Sequence, residues 1–297
     1  SMASLHRLSV IEHHINPHLL SEKVAIITGS GQGIGAAAAK LFALHGAKVV
    51  VSDIDKTKSD AIAQEITSEG NLAISVPGDV TDAEFPARLV GEAVRHFGAI
   101  HYLINNAGYT WDGMLHKMAD QQWEAMLAVH QTAAFRLIRA AAPHMREAGK
   151  SEIATTGRPA DRCIINVSST SGVHGNVGQS NYSTAKAGLV GLTKTVCKEW
   201  GPFGVRCNAV AFGMINTRLV RSKGDGEFML VGERKVALGI PGGPTGDQTA
   251  PEQMKAGIPL GRLGTSEEAA NAILMLCSPY ATYVSGQCLE VTGGSYL

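Results

Sequence analysis

The run Thr28-Gly29-Ser30-Gly31-Gln32-Gly33-Ile34-Gly35 joins an apolar stretch, Val24-Ala25-Ile26-Ile27, to an alanine-rich stretch from Ala36 to His45. That order spells strand, tight turn, helix. The glycines let the backbone turn and approach a ligand closely, and the helix that follows aims its unpaired N–H groups and positive dipole end at whatever sits there. The ligand expected at such a place carries phosphate. A second apolar run, Lys48-Val49-Val50-Val51-Ser52, ends at Asp53, eighteen residues past Gly35. An acid at about that spacing accepts hydrogen bonds from an adenosine ribose. The unit therefore reads as dinucleotide binding. A carboxylate at Asp53 suits two ribose hydroxyls and repels a 2′-phosphate, and no Arg or Lys occupies Ser30, Gln32 or Ile54. This predicts NAD(H) in preference to NADP(H), although Lys56 and Lys58 lie just downstream and Asp53 could instead serve as a helix N-cap.

The rest of the chain extends the same rhythm. Strands are expected at 23–28, 48–52, 72–76, 100–104, 162–168, 205–210 and 287–291. Helices are expected at 34–45, 56–69, 82–97, 120–147, 180–200 and 266–277, and Gly46, Gly70 and Gly98 stand where helix C-termini want a left-handed residue. Strands separated by helices pair in parallel through right-handed crossovers. The fold class is α/β: a doubly wound parallel sheet, a Rossmann fold, with helices on both faces, as one domain over 21–297. Two stretches break the rhythm, 148–161 and 218–263, the second rich in glycine and proline. Its apolar centre, Phe228 to Val231 and Val236 to Ile240, suits a lid over an apolar substrate; a surface insertion is the plainer reading of Gly242 to Gly246.

The 297 residues carry 26 basic and 26 acidic side chains, so no global field exists to attract nucleic acid or an anionic membrane, and neither partner is expected. Cys163, Cys197, Cys207, Cys277 and Cys288 are scattered without CxxC spacing, which fits free thiols in a reducing compartment. A cytoplasmic or organellar-matrix location follows. Ser1-Met2 reads as an expression scar, and residues 3–20 as an extension without the long apolar run of a signal peptide. Its His6, His13, His14 and His18 read as solvated side chains, and no metal site is expected.

Tyr182 and Lys186 stand four apart on a predicted helix, so both project from one face. A phenol titrates near 10 and is a poor base at neutral pH, but a nearby ammonium favours its ionised form. Tyr182 can then act as general acid/base. Ser169 follows the buried run Cys163 to Val167 at a strand end, where its hydroxyl can hold a substrate carbonyl.

On these residues the chain, from about Ser21 onward, resembles the short-chain dehydrogenase/reductase superfamily. The resemblance rests on the glycine run, Asp79-Val80, Asn105-Asn106-Ala107-Gly108, Ser169 thirteen residues before Tyr182, the Tyr182 to Lys186 spacing, and Gly213 through Thr217. It implies that Ser169 orients the substrate carbonyl, that Tyr182 transfers the proton, and that Lys186 binds the nicotinamide ribose while lowering the tyrosine pKa. It also implies adenine contacts at Asp79-Val80, a cofactor path lined by Asn106 to Gly108, and a carboxamide held around Ile215. Subunits would pair through the two long helices into a homotetramer, with Ala133, Leu137, Ala141, Leu189, Leu192 and Val196 as candidate interface residues unless they pack on the sheet.

Within the superfamily, Val177 through Gly188 and the ending Glu290-Val291-Thr292-Gly293-Gly294 look most like 3-oxoacyl-acyl-carrier-protein reductases. Three departures stand out. The asparagine of the family's proton relay is His130 here; Phe212 replaces a proline before Gly213, which should alter loop mobility; and Asp53 stands where NADPH enzymes carry basic residues nearby. The function expected is hydride transfer between NAD(H) and a 3-oxoacyl/3-hydroxyacyl thioester. Alternatives are a steroid or polyol dehydrogenase and a nucleotide-binding protein without turnover.

Overall fold

The apolar runs become one parallel sheet in a computed structural model of the protein, which describes residues 18–222, 228–231, 234–239 and 252–296. Strands β1 (Val24–Thr28), β2 (Lys48–Ser52), β3 (Ala73–Ser75), β4 (Tyr102–Asn105), β5 (Arg162–Ser169), β6 (Val205–Phe212) and β9 (Cys288–Val291) lie in the order β3-β2-β1-β4-β5-β6-β9. Chain order reverses between β1 and β4, which opens a crevice beyond their carboxyl ends.

Helices cover both faces. On one side lie α1 (Gly33–Leu44), α2 (Lys56–Ser68) and α8 (Ser266–Cys277); on the other lie α3 (Phe85–Phe97), the long α4 (120–156) and α6 (Ser180–Trp200), with the short α5 (Thr170–His174) joining β5 to α6. Strand residues alternate between the two cores: Ala25 and Ile27 pack with α1, Ile26 with α3 and α4. This is why β1, β2 and β5 read as unbroken apolar runs; each fully buried Ile or Val stabilises by roughly 1.5–3 kcal/mol.

The helix expected at 120–147 does not stop there. α4 is built from α-helical segments Asp120–Met126, Ala133–Ala142 and Ala148–Thr156, joined by π-helical turns at Leu127–Thr132 and Pro143–Glu147. Gly149 looks like a breaker, but a Cβ there would lie 2.0 Å from the Phe203 carbonyl oxygen, so the glycine serves close packing. Ala133, Leu137, Ala141, Leu189 and Val196 are buried within one chain, and they belong to the core rather than to an outer face. Phe135, with the Arg139 guanidinium 4.9 Å over its ring, is the large apolar residue α4 exposes.

Other boundaries move less. α3 starts at Phe85 because turns through Asp79 and Asp82 precede it and Pro86 sits in its first turn. β6 runs on to Phe212, which pairs with Val291, so the residue expected to alter loop mobility is a buried strand end. The stretch 218–263 contains a 3-10 turn at Arg218–Val220, an antiparallel hairpin of β7 (Phe228–Val231) and β8 (Arg234–Ala237), and the short helix α7 (Glu252–Lys255). Val236 and Leu238 are buried in the core that also holds Tyr109 and Tyr182. Gly242 to Gly246 lie outside the described residues, as do His6, His13 and His14. Leu20 is fully buried and Leu19 packs against the same core, although the extension was expected to reach residue 20.

Candidate active site

β5 ends at Ser169, whose hydroxyl caps α5 by accepting the Ser171 N–H at 3.1 Å. Helix α6 brings Tyr182 and Lys186 to the same place, and Ser169, Tyr182 and Lys186 line one cavity of about 390 Å³ at the carboxyl edge of the sheet. Gly172 lets α5 lie against α6, since a Cβ there would meet the Lys186 Cβ at 2.7 Å. The Lys186 ammonium lies 5.6 Å from the centre of the Tyr182 ring and donates to the Val167 carbonyl at 2.6 Å. His130 enters from the π turn of α4, its ring meeting that of Tyr182 edge-on with centroids 5.0 Å apart. Turns of this kind recur at functional sites because they re-aim a side chain.

Burial dominates the electrostatics. Tyr182 is pushed up to about 12 by desolvation, against the Ser169 hydrogen bond and with the Asp112 carboxylate acting in the same upward direction. Lys186 is pulled down to about 7 by burial. The expectation that the lysine lowers the phenol is therefore not met in the protein alone: the cost of holding either charge away from water exceeds their attraction, and the ammonium is satisfied by a backbone carbonyl instead. His130 is held well below its usual range by burial and then by Lys186. Its Nε2 lies 2.8 Å from the Tyr109 carbonyl, which can only accept, so Nε2 carries the proton. Nδ1 is then a buried acceptor without a partner. Gly108 makes the room, because a Cβ there would fall 2.1 Å from the His130 Cε1.

The cradle for a dinucleotide runs from this cavity across the end of β1. Gly29 adopts φ 63°, and a Cβ on it would sit 2.7 Å from the Ala107 Cα. At Gly35 a Cβ would be 2.2 Å from the Gly29 oxygen, so the first turn of α1 fits against the loop only without a side chain. Asn106 braces the loop by donating to the Thr28 and Gly29 carbonyls at 2.9 and 3.1 Å. Thr28 accepts the N–H groups of Asn106 and Ala107 in return. Asp53 accepts the Gly31 N–H at 2.9 Å and the Asp55 N–H at 3.0 Å, one on each oxygen, which leaves each oxygen a further lone pair for a ribose hydroxyl. The N-cap of α2 is Asp55, not Asp53. These residues fit a dinucleotide: a backbone cradle closed to any Cβ, an acid at its far end, and a buried lysine at its near end.

Other expected contacts sort by position. Ile34, Asn106, Gly108, His130, Gly213, Ile215 and Thr217 line the catalytic cavity. Gln32 accepts from the Lys58 ammonium at 2.9 Å at the cradle's outer edge, and the Thr217 methyl faces Gly33. Asp79 turns its carboxylate onto Thr81 while Val80 is buried. Ser30 lies inside the cradle. Its hydroxyl shares its one hydrogen between the Ile27 carbonyl at 2.7 Å and the Ser52 carbonyl at 3.3 Å and accepts the Ser52 N–H, and its own N–H donates to Ser52, so it stitches β1 to β2.

Residues 23–227 match the family described as short chain dehydrogenase, and residues 236–296 match the one described as Enoyl-(Acyl carrier protein) reductase. The chain belongs to the short-chain dehydrogenase/reductase family. It is 34% identical over 275 residues to the 3-oxoacyl-(acyl-carrier-protein) reductase FabG of Thermotoga maritima, covering 93% of this chain and 98% of that one. It is 33% identical to the Staphylococcus aureus protein of the same name, over 93% and 98% of the two chains. Among solved structures it is similar to a short-chain dehydrogenase/reductase, titled glucose/ribitol dehydrogenase, from Brucella melitensis. That match has TM-score 0.75 and 25% identity over 94% of this chain and 98% of that one. The chain is thus an NAD(P)-dependent oxidoreductase of that family, similar to 3-oxoacyl-carrier-protein reductases.

Several residues of this short-chain dehydrogenase escaped sequence reading. Asn181 donates to the Trp111 and Gln122 carbonyls at 3.0 Å and accepts the Tyr182 N–H, fixing the start of α6 against the loop after β4. Gln179 accepts from Ser171 and Asn176 and donates to Asp112, a network that closes one wall of the cavity. Their adjacency to Tyr182 was the available signal. Tyr296, which also lines the cavity, gave none. Among the described residues no three His, Cys, Asp or Glu side chains cluster to hold a metal, and no helix is long and apolar enough to cross a membrane.

Proposed function

We propose that the protein interconverts a 3-oxoacyl thioester and its 3-hydroxyacyl form with NAD(H), in the cytoplasm or an organellar matrix. The observation that carries this reading is the convergence of Ser169, Tyr182 and Lys186 on one cavity wall beside a glycine cradle that ends at Asp53. The bound nicotinamide supplies or takes up hydride at the carbon of the substrate carbonyl. Ser169 holds the substrate oxygen by hydrogen bond, and Tyr182 gives that oxygen a proton in reduction and removes it in oxidation. A phenol held near 12 is a ready donor to a developing alkoxide, which suits reduction. Lys186 orients toward the ribose and returns the proton to Tyr182. His130, neutral with its Nε2–H on the Tyr109 carbonyl and an unpartnered acceptor at Nδ1, would join that relay by accepting a hydrogen bond at Nδ1. Asp53 sets NAD(H) over NADP(H) through its remaining lone pairs and its charge. We infer further that residues 21–297 form one domain, that 218–263 covers the substrate, and that the exposed Phe135 on α4 takes part in a homotetramer, which light scattering at micromolar concentration would report.

A steady-state assay tests the reading. Oxidation of NADH with acetoacetyl-CoA supports it; turnover only with a steroid or polyol replaces it by the corresponding alcohol dehydrogenase; binding of NADH without turnover of any carbonyl leaves a silent nucleotide-binding protein.

A further inference from the structure

The loop after β4 brings a carboxylate to the cavity and holds it there. Asn181 donates to the Trp111 carbonyl at 3.0 Å, Gln122 donates to the Asp112 carbonyl, and the Gly113 N–H donates to the Gly178 carbonyl at 2.8 Å, beside the bridge from Gly113 to Gln179. The backbone on both sides of Asp112 is thus tied to the segment that carries Tyr182. Asp112 lines the cavity, and its Oδ1 accepts the Gln179 amide N–H at 3.2 Å. That amide has one way to turn, because its oxygen accepts from the Ser171 hydroxyl at 2.8 Å and from Asn176 at 3.0 Å.

The charges that line the cavity leave nothing for a second anion. Among the described lining residues Asp112 is the acid and Lys186 the ammonium, while His130 is held neutral by burial. The ammonium is turned onto the Val167 carbonyl at 2.6 Å and, with cofactor bound, toward its ribose. Arg218 and Arg221 stand on either side of Leu219 and Val220 in the chain, but neither lines the cavity. A carboxylate entering here meets a like charge and no cation among these residues, and burying an unpaired charge beside a like one is costly. The Tyr182 phenol already registers the repulsion: burial first, and the Asp112 carboxylate with it, push its ionisation upward.

We propose that Asp112 is a specificity-determining residue that excludes substrates bearing a free carboxylate, so that the protein takes a 3-oxoacyl group only as a neutral thioester, ester or amide. The proposal rests on the acyl thioester reading above and deepens it. In a 3-oxo acid the carboxylate carbon stands two bonds from the carbonyl carbon. Once Ser169 and Tyr182 hold the carbonyl oxygen, that anion lies inside the cavity whichever way the molecule is turned. It then meets the repulsion that an ionised Tyr182 meets, in surroundings that screen charge far less than water does. Esterification removes the charge and leaves the reacting carbonyl unchanged.

The test uses the full-length protein with NADH at pH 7 and two probes, 3-oxobutanoate and its methyl ester. In the wild type kcat/KM should favour the ester by at least about a hundred-fold, and Asp112→Asn, which keeps an oxygen for Gln179, should narrow that preference about ten-fold. Asp112→Glu keeps the charge and should keep the preference. Gln179→Ala disturbs the same wall without changing its charge, and should move acid and ester together. Because the ester is the reference, any general effect of Asp112 on proton transfer cancels from the ratio. A wild type that reduces the acid as readily as the ester, or an Asp112→Asn protein whose ratio is unchanged, overturns the filter. If the wild type reduces neither probe, turnover of acetoacetyl-CoA decides the thioester reading, and the filter is decided separately by ligand-observed NMR with butanoate and butanamide. The wild type should bind butanamide more tightly, and Asp112→Asn should close the gap. Equal binding, no binding of either, or a gap that Asp112→Asn leaves open overturns the filter.

Discussion

Lys186 is held down by burial in the cavity, and it sets a pH dependence that can be measured without any substrate. In the folded protein it titrates near 7, whereas a lysine in an unfolded chain titrates near 10.4. Between those values the unfolded chain binds a proton that the folded chain does not, so stability rises with pH by about 1.4 kcal/mol per unit and levels off below about 7. Tyr182, raised to about 12, acts oppositely only above about 10. Chemical denaturation of the cofactor-free protein should therefore show about 2–3 kcal/mol more stability at pH 9 than at pH 7, a gain that Lys186→Met removes. Equal gains in both proteins would assign the titration to another group. Asp53 carries the second prediction at this scale. Asp53→Ala takes away a charged acceptor and also releases the Gly31 and Asp55 N–H groups. NADH affinity should fall by about 1–3 kcal/mol while the gap between NADH and NADPH narrows, as read by fluorescence titration. A wild type that binds NADPH more tightly than NADH overturns the assigned preference.

At the scale of single elements, the unforeseen end of α4 supports the amino end of β5. Glu152, on the segment past Gly149, bonds Arg162 at 2.6 and 2.9 Å and also accepts the Ala160 N–H. The arginine side chain is only 5% exposed, so the pair is half buried rather than a surface contact. Arg162 holds the Glu152 carboxyl down at about 2, so its contribution is present above the usual carboxylate range and is lost as pH falls toward 2. Glu152→Ala leaves a guanidinium buried without its acid and should cost about 2–3 kcal/mol in urea denaturation at pH 7. A cost below about 0.5 kcal/mol would mean that Arg162 relaxes to solvent.

At the scale of the molecule, the hairpin of β7 and β8 inserts Val236 and Leu238 into the core that contains Tyr182. An element so placed feels what fills the cavity. NADH together with a 3-hydroxyacyl thioester should slow hydrogen exchange across 228–237 at least about five-fold relative to NADH alone, since closing a lid withdraws its amides from open states. Identical exchange with and without ligand would make the hairpin a surface insertion. It was expected as part of a lid from its apolar residues, but not as strands, because the glycine-rich stretches beside it mask a period of two.

The sequence by itself determined the sheet, the crevice and the order of the chemistry. Apolar runs bounded by glycines dictate strands buried on both faces, and the spacings Gly29 to Asp53 and Ser169 to Tyr182 to Lys186 are local facts of turns and helices. What only the tertiary structure decided are the quantities that depend on neighbours far along the chain. Ser30 became a stitch between strands because Ser52 lies opposite it. The helical faces left open between subunit contact and sheet packing turned out to be inner, because the sheet lies against them. Tyr182 rose and Lys186 fell because burial, which no spacing reveals, outweighs their mutual attraction. Tyr296 reached the cavity because β9 lies beside β6, at the end of the sheet order, which brings the carboxyl end of the chain back to β5.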